Sequence, residues 1–394
     1  MAWENALEKR WYERPLGGPA RWISVLTGIY LSFPFCLQKC TYCHFASGVF
    51  PSDWMPAYVD ALGAEIRATD LPSPPDTLYL GGGTPSLIDT AALRTLLDAL
   101  PTREWREATM EASPGTVTDE RAQAWAEAGI NRVSLGVQSF VPKEAAAAGR
   151  KHTPESVAAE VALLARAGID NISVDLLVGL AHQTPAGLAE SLKWVAEIAP
   201  AHVSVYMLDV DDESNLGREL QKGGARFGAG SVPSDDEIAD LYTTAIQELD
   251  RQSIQQYEIS NFARAGRESA HNLKYWRMEP YVGFGVDAHS FDGRRRWGNV
   301  TSVEEYLKLS RQGESVRATT QTLDRRRMAE DRFITGLRQT RGFDAPLDEM
   351  LLFDEALTRL IERGWLRREG ESRLVLTSEG LLFSNEVFSE ILGE

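Results

Sequence analysis

Between residues 23 and 208 a short apolar run gives way to a helical pattern, and this unit recurs six times in succession. The runs fall at 23–33, 76–80, 108–112, 132–137, 172–178 and 202–208. Helical spacing fills 53–68, 91–100, 119–128, 154–167 and 187–198, with a further helix at 236–252. In the first of these helices Tyr58, Leu62 and Ile66 recur at every fourth position, the period of one helix face. Short apolar strands alternating with helices argue for a parallel sheet covered by helices, because parallel strands need a crossover between them. Six units fall short of the eight that close a barrel. The expected fold is α/β: a partial (β/α)6 barrel over residues 22–215.

The rest of the chain reads differently. Residues 1–21 form a polar lead-in punctuated by Pro and Gly, and 211–235, glycine-rich and charged, reads as a long excursion. Residues 216–320 are expected as an intermediate region, with a strand near 256–259 and an aromatic, glycine-rich segment at 271–291. From 321 to 394 helical patterns at 325–340 and 351–363 precede a two-stranded wing at 365–376, which turns at Glu369-Gly370-Glu371. A last helix is expected at 378–392. This is a C-terminal winged-helix-like domain, a pattern often used to read DNA. A net charge of −16 argues against broad phosphate-backbone binding, so no nucleic-acid partner is expected and the domain should pack over the barrel mouth. No apolar run approaches the eighteen residues of a membrane span, and the N-terminus lacks a signal-peptide core. Peripheral membrane contact stays open, as does the oligomeric state. The expected compartment is the cytoplasm.

All three cysteines of the 394-residue chain lie in one stretch, Cys36, Cys40 and Cys43, on the loop that leaves the first strand. An odd number on one loop makes no disulfide framework. Zinc in a structural site takes four ligands, usually as two separated pairs; here there is no second pair, although His44 would complete a cramped set. Three unrelated buried cysteines are the plain alternative. A four-iron cluster held by three thiolates, with one iron left open, suits the spacing better.

Several polar residues sit in or just after the later apolar runs. Gly81-Gly82-Gly83-Thr84-Pro85 follows the second strand; glycines there permit positive φ and close backbone approach. Glu111 ends the third strand, while Gln138 and Asp175 interrupt apolar strands. A buried polar side chain costs about 1–3 kcal/mol unless partnered, so each should meet a ligand or a neighbour. Arg150 reads equally as a surface cation or, since it follows a strand, as a cation facing a carboxylate. All these features are expected at C-terminal strand ends, where parallel barrels build their sites.

The Cys-x3-Cys-x2-Cys spacing, with Tyr42 before the third cysteine, resembles the signature of the radical S-adenosylmethionine (SAM) family. The resemblance implies a [4Fe-4S] cluster on Cys36, Cys40 and Cys43 whose open iron chelates SAM and delivers the electron that cleaves its sulfonium. Within that family the chain resembles the coproporphyrinogen dehydrogenase-like branch from about Tyr30 into the C-terminal domain. That resemblance implies a SAM pocket lined by Tyr30, Tyr42, Gly82, Gly83, Thr84, Glu111, Gln138, Arg150, Asp175 and Met207. Two departures count against porphyrinogen decarboxylation. Phe45 stands where the dehydrogenase carries a fourth cysteine, and the lead-in is shorter than its N-terminal region.

The segment His271-Asn272-Leu273-Lys274-Tyr275-Trp276 resembles the signature of HemW-type haem chaperones. Imidazole ligates haem iron, and Tyr275 and Trp276 offer flat faces to a porphyrin. Taken alone, such a segment is better explained by a His and two aromatics packed at a loop-to-helix junction. The resemblance implies a haem chaperone that binds a [4Fe-4S] cluster, SAM and haem, with haem-acceptor proteins as partners and His271, Tyr275 and Trp276 at the haem. The alternatives are a radical SAM enzyme of the same branch, either the dehydrogenase or a methyltransferase, and a haem sensor with a structural cluster.

Overall fold

The computed structural model describes residues 25–212 and 214–393. The expected lead-in at 1–21 and the start of the first apolar run lie outside the described residues. Six parallel strands follow in chain order: β1 (Thr27–Phe33), β2 (Pro75–Gly82), β3 (Glu107–Ala112), β4 (Arg132–Gln138), β5 (Asn171–Val178) and β6 (His202–Met207). Between them run α1 (Trp54–Arg67), α2 (Thr90–Asp98), α3 (Asp119–Glu127), α4 (Pro142–Ala147), α5 (Pro154–Arg166) and α6 (Pro185–Ile198). Each expected strand and helix of the barrel is present; α4, too short for a periodic signal, is the one added helix. Leu31, Leu78, Met110, Val133, Val174 and Val203 are fully or almost fully buried, as strands covered on both faces require. Helix starts are set locally: Thr118, Thr153 and Thr184 each accept a backbone N–H of the first turn, with proline just inside α5 and α6.

Beyond β6 the chain folds into α7 (Asn215–Gln221), a 3-10 segment at Arg226–Ser231, and α8 (Asp235–Arg251). The described residues of the excursion expected at 211–235 thus carry helical segments, packed on a small apolar cluster of Leu208, Leu216 and Ala229. Then come β7 (Gln255–Glu258), β8 (Asn261–Ala263), α9 (Ala270–Trp276), β9 (Tyr281–Phe284), β10 (His289–Phe291), β11 (Arg295–Asn299), α10 (Val303–Gln312) and β12 (Arg317–Thr322). These strands extend the barrel sheet at both ends. β9 pairs parallel with β1, and β10 to β12 continue antiparallel from it; β8 pairs antiparallel with β6, and β7 with β8. The result is one open twelve-stranded sheet that does not close. The intermediate region is thus continuous with the barrel through hydrogen bonds.

The C-terminal part comprises α11 (Arg325–Leu337), β13 (Phe343–Asp344), α12 (Leu347–Met350), α13 (Asp354–Glu362), the hairpin β14 (Leu366–Glu369) and β15 (Arg373–Leu376), α14 (Ser378–Leu382) and α15 (Ser384–Leu392). Helices and hairpin enclose their own apolar core around Phe333, Leu360 and Leu374, the winged-helix-like arrangement expected. The single helix expected at 378–392 is broken at Phe383. Ile259 N–H donates to the Arg338 carbonyl, and the Arg338 guanidinium lies 4.5 Å over the Trp276 ring, tying this part to the barrel beside α9. No helix among the described residues is long and apolar enough to cross a membrane.

Candidate functional site

The cysteine loop leaves β1 and is stapled by the glycine turn after β2. Gly83 N–H donates to the Phe33 carbonyl at 2.8 Å, and Thr84 N–H to the Phe35 carbonyl at 2.9 Å. A side chain at Gly83 would lie 2.7 Å from the Pro34 carbonyl carbon, so this glycine is required by the chain's own close approach. Gly82, at φ +102°, makes the turn possible. The loop also closes on itself, Cys36 N–H donating to Gly48 O at 2.8 Å. Farther along, Thr41 Oγ1 donates to Ala147 O and its carbonyl accepts Leu216 N–H. The excursion therefore buttresses the loop.

The three thiols are free, half-buried and line one cavity of about 600 Å³. Burial pushes the Cys36 thiol up, opposed by hydrogen bonds with Thr84 and Ser47. Among the described residues no group of three or more His, Cys, Asp or Glu side chains stands preassembled as a coordination sphere.

Below the thiols the cavity wall is polar. Tyr79 donates to Glu111 Oε1 at 2.8 Å, and Ser134 Oγ donates to Asp175 at 2.9 Å. Burial pushes the Glu111 carboxyl up to about 7; the Asp175 charge adds to that rise, and the Tyr79 hydrogen bond opposes it. Glu111 is half-buried only because one side faces the cavity. Burial likewise raises Asp175, opposed chiefly by Ser204 and Ser134. Arg132, 2% exposed, contributes positive charge to the same wall, and its Nε has no partner. Two close carboxyls and a cation with spare donors suit a ligand carrying both positive charge and polar groups.

Between the strands of Glu111 and Asp175, Gln138 ends β4 at φ +70°, a conformation uncommon for a side chain of this size and often found at ligand sites. Arg150 donates to Ser113 Oγ at 2.7 Å, while its Nε is unpartnered. Gly136 makes room for both: an added Cβ would lie 3.0 Å from the Arg150 guanidinium and 3.1 Å from the Gln138 amide.

Of the residues expected at a SAM pocket, Tyr42, Gly82, Gly83, Thr84, Glu111, Gln138, Arg150, Asp175 and Met207 all line this cavity. Asp175 lies midway along β5, so the expectation that every such residue sits at a strand end does not hold. Tyr30, also mid-strand, lines a second hollow of about 400 Å³ that shares Phe45, Ser47 and Gly82 with the first. Tyr79, Arg132, Ser134 and Gly136 line the cavity as well, with Asn272 of the aromatic segment; among the first four only Arg132, a charge opening an apolar strand, carries a visible signal in the sequence.

The segment expected at a haem divides in two. α9 is pinned by the buried Glu107 carboxylate, which accepts from Ser269 Oγ and from the N–H groups of Ala270 and His271. Lys274 adds an ion pair with Asp76 at 2.8 Å. His271 is fully buried, with Nδ1 2.9 Å from Thr77 Oγ1 and Nε2 2.7 Å from the Tyr275 hydroxyl. It lines neither cavity, whereas Tyr275 lines the second and Asn272 the first. Trp276 lines neither and packs under Arg338. Iron ligation by His271 would require the bond at the ligating ring nitrogen to break and the ring to leave its fully buried position; in this structure it acts as a buried strut.

The pattern of the Radical SAM superfamily matches residues 30–195. The chain is 35% identical over 383 residues to the heme chaperone HemW of Bacillus subtilis, covering 93% of this chain and 99% of that one. It is 31% identical to the heme chaperone HemW of Lactococcus lactis, covering 92% and 96%. Among solved structures, coproporphyrinogen III oxidase (HemN) from Escherichia coli, a radical SAM enzyme, superposes with a TM-score of 0.79 at 23% identity over 99% of this chain and 98% of that one. At that identity the likeness shows the fold. Membership of the superfamily implies a [4Fe-4S] cluster and SAM as cofactors. On near full-length similarity to its relatives, the chain belongs to the HemW family of radical SAM proteins.

Proposed function

We infer that this chain is a haem chaperone: it carries a [4Fe-4S] cluster, binds SAM, takes up haem and passes it to acceptor proteins. The single observation that carries the reading is Phe45. Its side chain is 57% exposed on the cysteine loop and borders both cavities, where a fourth cysteine would stand in a dehydrogenase-like site. An exposed aromatic beside an aromatic-lined hollow suits a flat apolar ligand that must be released again. The relatives that bear the name heme chaperone match this chain over nearly their whole length, which supports the same reading.

The residues present fit the implied cofactors. Three thiols gathered on one loop and lining one cavity suit an iron–sulfur cluster, with Cys36, Cys40 and Cys43 as holders. Unpartnered Nε atoms on Arg132 and Arg150 leave donors for an anionic group, and Glu111 and Asp175 offer acceptors to a cationic one. When bound, cluster and SAM together supply one-electron reductive chemistry at a sulfonium. The chain's own part is to orient SAM through Gln138, Arg150, Glu111 and Asp175, and to shield it under the loop.

The test is anaerobic cluster reconstitution, followed on one sample by haem titration, transfer to an apo-acceptor and a coproporphyrinogen assay. About one haem per chain, transferable, without porphyrinogen turnover, is expected. Conversion of coproporphyrinogen to protoporphyrinogen would overturn the chaperone reading.

A further inference from the structure

The six histidines differ sharply in what their rings already do. His202 and His271 are fully buried, each with both ring nitrogens within hydrogen-bond range of hydroxyls. His152 is half-buried with Nε2 3.2 Å from the Ser139 carbonyl, and His182 is half-buried against Gly228. Only His44 and His289 are exposed. His44 lines the thiol cavity, its ring 4.8 Å from that of Phe45.

His289 stands elsewhere, at the edge of the second hollow. Its side chain is 71% exposed, and Nε2 lies 3.9 Å from Asp287 Oδ1, beyond hydrogen-bond range. The backbone around it is firm: His289 begins β10, paired with Gly298 of β11. Gly298 faces the Nδ1 and Cε1 edge of the ring, and a Cβ added there would lie 3.0 Å from both atoms. The hollow is walled by Tyr30, Tyr275, Tyr281, Phe45 and Val286. Tyr275 and Tyr281 meet edge to face with centroids 4.6 Å apart, and the Tyr275 hydroxyl is tethered to His271.

We propose that haem binds at this second hollow with His289 as its iron ligand, while His271 only positions the Tyr275 wall. The inference rests on the haem reading above and deepens it. A neutral imidazole with a free nitrogen is a usual iron ligand, and a nearby carboxylate such as Asp287 orients ligating imidazoles elsewhere. Aromatic side chains supply the flat apolar contact a porphyrin needs. A volume near 400 Å³ lies within the range of small-molecule sites, and the open rim suits a cargo that must leave.

The experiment is haem titration of the full chain, followed by visible absorbance, with His289→Ala and His44→Ala variants. Both side chains are exposed, so neither change should disturb folding. His289→Ala should shift the Soret band and weaken haem binding at least tenfold, and free imidazole should restore the wild-type spectrum. His44→Ala should change neither. An unchanged spectrum and affinity in His289→Ala overturns the assignment, as does loss of binding in His44→Ala instead. If the unmodified chain binds no stoichiometric haem, the haem reading itself fails along with the site.

Discussion

His271 Nε2 lies 2.7 Å from the hydroxyl of Tyr275, one helical turn along, while Nδ1 meets Thr77 Oγ1 at 2.9 Å on β2. The imidazole thus joins α9 to the barrel sheet and fixes one wall of the second hollow. His271→Ala removes the one buried ring that partners two hydroxyls and leaves both unpaired. The expected loss is about 2–4 kcal/mol in urea unfolding, with the Soret maximum of bound haem unchanged and its affinity altered a few-fold at most. A Soret shift in this variant would mean that His271 leaves its strut position to reach iron.

The same ring carries a pH signature. Burial, with Lys274 and Arg132 nearby, lowers its pKa from 6.5 to about 3, so the folded chain holds it neutral while the unfolded chain protonates it below 6.5. The unfolded state then binds more protons, and stability falls as pH drops from 6.5 toward 3. The difference corresponds to roughly 4–5 kcal/mol at the acid end. His271→Gln should flatten the stability profile below pH 6.5, read as the difference from wild type in denaturant midpoints across pH. A parallel offset at every pH would contradict the buried neutral ring.

Glu111 works in the opposite sense. Its carboxyl is raised from 4.5 to about 7, chiefly by burial, so the cofactor-free folded chain keeps a proton that the unfolded chain loses. Stability contributed by the protonated form is full below 4.5 and is lost as pH rises through 7, by about 3 kcal/mol. In Glu111→Gln that decline should vanish, so the variant should melt higher than wild type above pH 7 without cofactors. Calorimetry of both proteins between pH 5 and 8 checks it.

The barrel was legible because its signals are local. Short strands packed on both faces give continuous apolar runs, and capping threonines and prolines mark helix starts. The thiol cavity was legible because polar residues stranded in apolar strands, such as Glu111 and Asp175, need partners. The sheet extensions were not legible. β8 to β12 are short, and β12 is exposed along its whole length, so neither apolar alternation nor a continuous run marks it. Nor does composition show that Glu107 caps a helix 163 residues later, or that both nitrogens of His271 are occupied. Such facts depend on which strands become neighbours. His289 was overlooked for that reason: its surroundings come from β1, the cysteine loop and α9.

The last prediction concerns how two sequence motifs form one device. Gly83 lines the thiol cavity and also packs against the backbone of the cysteine loop, where a Cβ would meet Phe33 O and Phe35 O at 2.8 Å. Backbone cannot yield as a flexible side chain does, so Gly83→Ala must push the loop away from β2 and break the Gly83–Phe33 and Thr84–Phe35 hydrogen bonds. Overpacking of this kind costs about 1–3 kcal/mol, which a barrel of this size should survive. The thiols ride on the displaced segment. Reconstituted Gly83→Ala should therefore fold, by circular dichroism, yet hold well under half the iron of wild type. Gly230→Ala, with open space around the added methyl and no positive φ, is the matched control and should load iron normally. Full iron loading in Gly83→Ala would show that the loop reaches its cluster-binding shape without the glycine staple.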